Sequence, residues 1–179
     1  PFIYLNLVGG QDDQVFDGGS FVVNSEGKLI CLLPQFEEAV FMLEFEDGVI
    51  NEEKAKTGSN YSKDEHFEDY RAMCLALKDY VQKSGFAKVL IGLSGGIDSA
   101  LVATIAVDAL GSENVLCVRL PSEYTSQGSL RDAEDLVKAL RCKIETVSIS
   151  EVNKQIIQTL APLFQGTESG LTEENIQAR

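Results

Sequence analysis

The residues with the clearest chemical potential form a short loop of small side chains. The loop Leu93–Ser99 reads LSGGIDS, follows the apolar run Lys88–Gly92 directly and leads into a helical pattern. Where a strand, a glycine-containing turn and a helix start meet, unpaired backbone N–H groups and the helix dipole favour an anion. Gly95 and Gly96 let the main chain approach a phosphate with no Cβ in the way. We therefore expect a phosphate-binding loop.

The same loop carries an acid in place of a lysine. It contains neither Gly-Lys-Ser/Thr nor Gly-x-Gly-x-x-Gly, so it is neither a Walker loop nor a dinucleotide fingerprint. A carboxylate beside a phosphate is favourable when a divalent cation bridges the two, which makes Asp98 a candidate Mg²⁺ ligand. Ser94 and Ser99 can add hydroxyl donors. The alternative is that Asp98 only caps the helix and that the glycines only make a tight turn.

Strand and helix patterns alternate around this loop. The predicted strands are Lys88–Gly92, Asn114–Leu120 and Lys143–Ile149, and the predicted helices are Asp98–Leu110, Ser129–Leu140 and Glu151–Phe164. Such alternation with short connections specifies a parallel sheet covered by helices. We therefore expect an α/β fold whose first strand and first helix hold the loop between them.

The beginning of the chain has a different pattern, with short apolar runs separated by turn residues. The predicted strands there are Phe2–Val8, Ser20–Val23, Lys28–Leu33 and Val40–Phe45. Glycine-rich connections such as Ser25–Gly27, between two of these strands, favour tight turns. This part is predicted to be β-rich.

A polar stretch separates the two patterns. Gly48–Lys63 is filled with Asn, Glu, Lys, Thr, Gly and Ser, which is typical of an interdomain linker. Apolar residues at helical spacing from Phe67 to Val81 then predict a helix that ends near Gly85 and packs against the elements after it. We expect one domain over residues 1–47, a linker over 48–64 and a second domain over 65–179.

Composition narrows the classes of protein. The formal net charge of −13 argues against a nucleic-acid or anionic-membrane surface, because binding there depends on Lys and Arg. No run reaches the roughly eighteen apolar residues of a membrane span, and no signal-peptide pattern opens the chain, so the cytoplasm is the expected compartment.

The cysteines, which lack C-x-x-C spacing, are expected to be reduced core residues, and His66 is expected to face solvent. The cysteines are Cys31, Cys74, Cys117 and Cys142.

Both ends of the sequence look like cuts. Pro1 leads directly into the first apolar run, and Leu171–Arg179 has the composition of a helix that has only begun. We therefore expect an internal fragment of a longer protein.

The Ser94–Ser99 loop resembles the signature of the N-type ATP pyrophosphatases. Members of that superfamily split ATP between its α and β phosphates and activate a substrate by adenylation. NAD, GMP and asparagine synthetases and several tRNA-modifying enzymes share the signature. The resemblance therefore implies the ATP chemistry and leaves the acceptor open.

Further stretches resemble the glutamine-dependent NAD synthetases. The segment from Arg119 to Ser129 is similar to the part of these enzymes that meets the base and phosphates of ATP, and Glu174–Arg179 is similar to a later motif whose arginine contacts deamido-NAD. Gly9–Asp12 and Val15–Ser20 resemble the late part of their nitrilase-like glutaminase domain. The implied fold is the β-rich end of a nitrilase-like α/β domain followed by a partial Rossmann-like parallel sheet of the ATP pyrophosphatase type.

Transferred by position, the resemblance implies a set of binding residues. The implied ATP contacts are Gly92, Leu93, Ser94, Gly95, Gly96, Ile97, Asp98, Ser99, Arg119 and Gln127. Asp98 would also bind Mg²⁺, and Arg179 would hold the substrate. The alternatives are a surface Arg119 at a strand end, a turn Gln127 and an exposed Arg179 at the terminus.

The implied reaction is ATP-driven adenylation of deamido-NAD and its amidation with glutamine-derived ammonia, in an expected homo-oligomer. The family's Glu-Lys-Cys glutaminase triad has no counterpart here, since Cys31 lies within an apolar strand and is expected to serve packing. The second metal-binding acid would follow Arg179, so we assign no catalytic residue and expect the fragment alone to be inactive. The open alternatives are another amidating or thiolating ATP pyrophosphatase, or a non-catalytic nucleotide-binding fragment or partner subunit.

Overall fold

The computed structural model describes residues 1–55, 64–122 and 125–164. The chain divides into two compact units, Pro1–Ala87 and Lys88–Arg179, called unit 1 and unit 2 below. Among the described residues, none of the helices combines the length and the apolar character that a membrane span requires. The phosphate-loop sequence belongs to unit 2.

Unit 1 consists of short antiparallel strands and one long helix. The elements are β1 Phe2–Tyr4, β2 Val8–Gln11, β3 Gln14–Asp17, β4 Phe21–Val23, β5 Leu29–Leu32, β6 Phe45–Glu46, β7 Val49–Ile50 and α1 Glu65–Lys83. They form the sheet β1-β4-β5 and the hairpins β2–β3 and β6–β7. The tight turn predicted between β4 and β5 is closed by a hydrogen bond of 2.9 Å from the Asn24 amide to the Lys28 carbonyl. The predicted β-rich character is confirmed.

The sequence did not predict the β2–β3 hairpin. Its two glycines suggested a turn, but both lie in β2, and the predicted strand Phe2–Val8 is divided between β1 and β2. The break falls near Asn6, whose side chain donates to the Asp17 carboxylate at 2.9 Å. A Cβ on Gly10 would lie 3.2 Å from the Ala76 Cα of α1. The glycine therefore serves close packing of a strand on a helix.

The predicted strand Val40–Phe45 is wrong except for its last residue, which begins β6. The alternation behind the prediction is real, since Val40 and Met42 are 99% and 85% exposed while Phe41 and Leu43 pack on a small buried cluster. That cluster consists of Val22, Cys31, Ile50 and Ala55. The segment is anchored by side chains and not by a strand ladder, and period-two alternation alone does not distinguish these cases.

The predicted linker begins with folded residues. Val49–Ile50 forms β7, and Ile50 and Ala55 are 5% and 1% exposed. The remainder of the predicted linker, residues 56–63, lies outside the described residues. The division into domains at residues 48–64 stays a prediction.

Helix α1 begins where the sequence predicts. The Asp64 carboxylate accepts hydrogen bonds from the amides of His66 and Phe67, which is an N-cap. His66 is exposed, as expected. The main contacts of α1 are with β2 and β3, which precede it. The glycines of β2 leave room for this helix, and the expected packing of α1 on later elements stays a prediction.

The contact between α1 and β2 includes one charged group with an altered pKa. Asp79 accepts a hydrogen bond of 2.8 Å from the Gly10 amide and pairs with Lys83 at 3.0 Å. Burial acts to raise the pKa of the Asp79 carboxyl, but the bonds from Lys83 and Gly10 hold it below its ordinary value of 3.8. The carboxylate therefore stabilises the fold above that pH, and its contribution is lost as the pH falls through the lowered pKa.

We expect Asp79→Asn to lower the melting temperature near neutral pH by about 2–4 °C, because a charge-assisted contact is lost. The difference from the wild type should shrink as the pH falls below the ordinary pKa of 3.8. Calorimetric scans across this range measure it, with Asp69→Asn, an exposed residue of the same helix, as the control. A difference that is constant with pH would contradict the role of the ionised carboxyl.

Unit 2 is a parallel sheet with helices in its connections. Its elements are β8 Val89–Gly92, α2 Ile97–Leu110, β9 Val115–Arg119, α3 Gln127–Leu140, β10 Lys143–Thr146 and α4 Ser150–Leu160. The strand order is β10-β9-β8 and both pairs are parallel. Across the sheet, Ile91 pairs with Cys117 and Cys117 with Ile144. The predicted α/β fold with a parallel sheet is confirmed, and α4 continues into a short 3-10 turn over Ala161–Phe164.

The thiols of Cys117, in the central strand β9, and of Cys142, just before β10, lie close together. The Sγ atoms of Cys117 and Cys142 are 3.8 Å apart, and Cys117 is fully buried. Burial, and then the neighbouring Cys142, raises the pKa of the Cys117 thiol to about 12. None of the four cysteines is in a disulfide; Cys31 and Cys117 are buried as expected, whereas Cys74 and Cys142 are half-buried.

We expect alkylating reagents to label the partly exposed Cys142 in the native protein and to leave Cys117 unlabelled from about pH 7 to 9, since thiolate is the reactive species. Peptide mapping by mass spectrometry measures the labelling. In denaturant the two residues should react alike. Labelling of native Cys117 at the rate of Cys142 would contradict the buried, protonated thiol.

Candidate functional site

The candidate site lies where the parallel strands of unit 2 end. The loop Leu93–Ser99 follows β8, Leu120 and Pro121 follow β9, and Ile149 lies between β10 and α4. Carboxyl ends of parallel strands meet at one edge of a sheet, and ligands of such folds bind in the crevice outside that edge. The order of the strands thus brings the predicted loop to the usual ligand position.

A cavity of about 390 Å³ opens at this edge. It is lined by Gly92, Leu93, Ser94, Val118, Arg119, Leu120, Pro121, Thr125, Ser129, Leu130 and Ile149. The volume suits a nucleoside-sized ligand, and its mixture of apolar walls and a few polar groups is typical of ligand pockets. The sequence predicted four of the lining residues, Gly92, Leu93, Ser94 and Arg119.

The hydroxyl groups of the loop bond to the loop itself. The Ser99 hydroxyl donates to the Gly96 carbonyl at 3.0 Å and accepts the Ser94 amide at 3.2 Å. The Ser94 and Ser99 hydroxyls are 3.0 Å apart, and the Ser94 hydroxyl accepts the Gly96 amide at 3.2 Å. These hydrogen bonds fix the conformation of the turn between Ser94 and Ser99. The amides of the first turn of α2, which have no partners within a helix, remain for an anion.

Gly95 is required by geometry in two ways. Its φ is +85°, a region that L side chains rarely adopt. A Cβ at Gly95 would overlap the Ser129 carbonyl oxygen and would come within 2.8 Å of the Ser129 Cα. Ser129 belongs to the first turn of α3, whose N-cap is Ser126. The second glycine of the motif, Gly96, has an ordinary extended φ of −89° and is the N-cap of α2.

Asp98 is exposed and lies in the first turn of α2. Because the N-cap is Gly96 and no side chain caps the helix, the alternative in which Asp98 caps α2 does not hold in this structure. No group of three or more His, Cys, Asp or Glu side chains that could hold a metal occurs among the described residues. Any cation at Asp98 would therefore take most of its ligands from a bound phosphate and from water, as Mg²⁺ commonly does.

Arg119 forms hydrogen bonds to two neighbouring elements at the cavity, α3 and β10. Its guanidinium donates to the Thr146 hydroxyl through Nε and Nη2, at 3.2 and 3.0 Å. Nη1 donates to the Leu130 carbonyl at 3.0 Å and to the Glu134 carboxylate at 3.1 Å. The side chain is 14% exposed, so it is not the surface arginine of the alternative reading. Four bonds to protein acceptors leave few of its five N–H donors for a ligand.

The other predicted contacts lie outside the cavity lining. Gln127 is exposed at the start of α3, and Ile97 is 80% exposed at the start of α2. Gly95, Gly96 and Ser99 shape the loop without lining the cavity. Arg179, the predicted substrate contact, lies outside the described residues.

Two apolar wall residues, Leu130 and Ile149, were not predicted from the sequence. Thr125 and Ser129, whose hydroxyl groups also line the cavity, lie within the predicted segment Arg119–Ser129 but were not named as contacts. Ile149 could have been found, because the residues that follow each parallel strand lie at the ligand edge. Leu130 has no such signal, since it belongs to the interior of a helix pattern.

Comparisons with known proteins agree on one family. A family model described as NAD synthase matches residues 69–179. The glutamine-dependent NAD(+) synthetase of Rhodobacter capsulatus is 52% identical over 179 residues, which is 100% of this chain and 32% of that protein. The corresponding protein of Synechocystis sp. is 45% identical over 100% of this chain and 32% of its own length.

A solved structure gives the same result. Glutamine-dependent NAD+ synthetase from Acinetobacter baumannii, in complex with adenosine diphosphate, matches with a TM-score of 0.88 and 40% identity over 98% of this chain and 33% of that chain. The chain thus spans about a third of the length of the curated relatives it matches, 32% for the two above. Because the family model covers more than half of its residues, the chain belongs to the NAD synthase family.

Proposed function

We propose that this chain is part of a glutamine-dependent NAD synthetase, and that unit 2 contributes the ATP-binding part of its synthetase site. The observation that carries the proposal is the Ser94–Ser99 loop, which opens α2 at the carboxyl end of β8 and borders the cavity. The relatives support the same activity by name, and the Acinetobacter baumannii relative binds adenosine diphosphate. The proposed reaction adenylates deamido-NAD and then amidates it with ammonia, releasing AMP and pyrophosphate.

We place the phosphates of ATP at the loop and its nucleoside in the cavity. The first-turn amides of α2 and the dipole of that helix favour the negative charge. Leu120, Pro121 and Ile149 supply apolar walls for a base. Gly96 leaves its position open to a close approach, since a Cβ there would meet only the Ser94 hydroxyl, at 3.4 Å.

Mg²⁺ fits the residues present. Asp98 offers one exposed carboxylate beside the proposed phosphate site, and Mg²⁺ in nucleotide sites is commonly held by one or two carboxylates, substrate phosphates and water. Asp98 would hold the ion in unit 2. When bound, the ion supplies charge neutralisation for the leaving pyrophosphate.

The chain's own residues then have distinct tasks in adenylation. The carboxylate of deamido-NAD attacks the α phosphate of ATP, and negative charge grows on the departing pyrophosphate. The first-turn amides of α2 are proposed to stabilise that charge from fixed positions, which is the main way a protein accelerates such a transfer. Arg119 holds β9, α3 and β10 in register around the nucleoside through its bonds to Thr146, Leu130 and Glu134. A direct contact of Arg119 or Gln127 with ATP stays a prediction. The contact of Arg179 with the substrate also stays a prediction.

The proposed ammonia source is glutamine, as the names of the relatives indicate for those proteins. Within the described residues Cys31 is 2% exposed in the cluster of unit 1, which supports its expected packing role. The glutaminase nucleophile is therefore proposed to lie in another part of the parent enzyme. A homo-oligomer in the cytoplasm also remains a proposal.

The test is a product assay on the full-length enzyme. With ATP, deamido-NAD and Mg²⁺, either glutamine or ammonium chloride should support formation of NAD, with one AMP and one pyrophosphate for each NAD formed. Release of ADP and orthophosphate would contradict ATP pyrophosphatase chemistry. Nucleotide binding by calorimetry without any turnover would favour the non-catalytic alternative.

A further inference from the structure

Two cysteines of unit 2 lie within reach of each other, away from the candidate ATP site. The Sγ atoms of Cys117 and Cys142 are 3.8 Å apart, although the residues are separated by 25 positions in the chain. Cys117 pairs with Ile144 across the parallel ladder of β9 and β10, and Ile144 comes two residues after Cys142. Side chains two positions apart along an extended chain point to the same face. The strand register therefore brings the two thiols together.

The gap between the two sulfur atoms is small enough to close. A disulfide has an S–S length of about 2.05 Å, so the atoms must approach each other by less than about 2 Å. Strand pairing fixes the backbone of Cys117 on both sides. Cys142 lies in the connection between α3 and β10, directly after Arg141 with its φ of +56°, and before the first ladder pair of Lys143 with Leu116. We therefore expect Cys142 to be the residue that moves.

The two thiols differ in their access to a reagent. Cys142 is half-buried, whereas Cys117 is 0% exposed. Because burial and the neighbouring Cys142 raise the pKa of the Cys117 thiol to about 12, Cys117 stays protonated near neutral pH. A small oxidant therefore meets Cys142 first, and Cys117 can react only with a group that is already on Cys142. Such an asymmetry is typical of a thiol that is oxidised beside a second thiol that resolves it.

We propose that Cys117 and Cys142 form a redox modification site, at which hydrogen peroxide converts the thiol pair to a reversible disulfide. The Cys142 thiolate attacks one oxygen of the peroxide, so that an S–O bond forms, the O–O bond breaks and the departing hydroxide takes up a proton to become water. The Cys117 sulfur then attacks the Cys142 sulfur. An S–S bond forms, the S–O bond breaks, and the second hydroxide leaves with the Cys117 proton as water. The two thiols thereby give two electrons to one peroxide. This inference does not depend on the proposed function, since it concerns the thiols alone.

The test is peptide mapping of the full-length enzyme after treatment with hydrogen peroxide, with the remaining thiols alkylated in denaturant. A peptide pair linked through Cys117 and Cys142 should appear, and dithiothreitol should remove the link. Cys142→Ser should lose this link altogether. Cys117→Ala should stop at the sulfenic acid of Cys142, which dimedone traps. Cys74→Ser, which changes a half-buried cysteine of α1, is the matched control and should still form the link.

The native fold is part of the prediction. In denaturant, peroxide should not favour this pair over other cysteine pairs, because the closeness of the thiols depends on the register of β9 and β10. Oxidation of Cys142 in the native wild type while Cys117 stays a free thiol would overturn the inference. So would a native Cys142 that remains fully alkylatable under conditions that oxidise it in the unfolded protein. If Cys117→Ala does not fold, the wild type and Cys142→Ser still decide the question, and none of these results bears on the ATP site.

Discussion

Asp98→Asn in the full-length enzyme should lower the rate of adenylation by about 10²- to 10³-fold, the scale of removing one preorganised electrostatic group. The exchange keeps the size of the side chain and removes its charge. Asp98 is exposed and does not cap α2, so the fold should lose little, about 0.3–1 kcal/mol from the helix dipole. The measurement is ATP–pyrophosphate exchange in the presence of deamido-NAD.

Hydrolysis of glutamine provides the internal control for this prediction. It should remain measurable in Asp98→Asn, since the proposed glutaminase nucleophile lies outside unit 2. Asp132→Asn, an exposed acid of α3, is the matched exchange and should leave adenylation unchanged. Adenylation at the wild-type rate in Asp98→Asn would remove Asp98 from the metal site.

The elements of unit 2 could be predicted well because local and tertiary preferences agree there. β8 and β9 are apolar strands of a parallel sheet, β9 largely buried and β8 with alternate residues exposed, and each is followed by a turn and a helix with its own start signal. β10 is shorter than predicted, Lys143–Thr146 and not Lys143–Ile149, because apolar residues continue past the ladder into the cavity wall. The alternation rule then gave the parallel sheet without any contact information.

Unit 1 shows where sequence patterns stop being informative. A glycine pair in a strand looks like a turn unless the helix that packs on it is known, and the contact of Gly10 with Ala76 spans 66 positions in the chain. Likewise, the alternation from Val40 to Phe45 reports which side chains are buried. Whether a neighbouring strand is present to pair with the segment is a tertiary property.

In the candidate site, too, the features set by local geometry could be predicted from the sequence and those set by tertiary contacts could not. The loop could be identified because its residue types are dictated by local geometry, namely a positive φ at Gly95 and a helix start at Gly96. The bonds of Arg119 to two other elements depend on how α3 and β10 are placed around β9. The sequence gives no spacing rule for such contacts.

Gly95→Ala should both destabilise the protein and weaken ATP binding, whereas Gly96→Ala should mainly weaken ATP binding. At Gly95 the positive φ alone costs an alanine about 1–2 kcal/mol. The new Cβ would also overlap the Ser129 main chain, and backbone cannot rotate away as a side chain can. Either the loop or the first turn of α3 must then shift, which moves the amides and the cavity wall together. Denaturant unfolding should show a lower midpoint, and calorimetry should show an ATP affinity reduced at least about tenfold.

Gly96→Ala distinguishes the two roles of the glycines. Gly96 has an extended backbone, and its Cβ would approach only the Ser94 hydroxyl at 3.4 Å, so unfolding should change by less than about 1 kcal/mol as an N-cap exchange. The new methyl group would nevertheless face the space proposed for a phosphate, and ATP affinity should fall. Equal losses of stability in the two variants would contradict the packing of Gly95 on Ser129. Unchanged ATP affinity in both would contradict the phosphate loop, because Gly95→Ala displaces the loop and Gly96→Ala adds a methyl group to the space proposed for a phosphate.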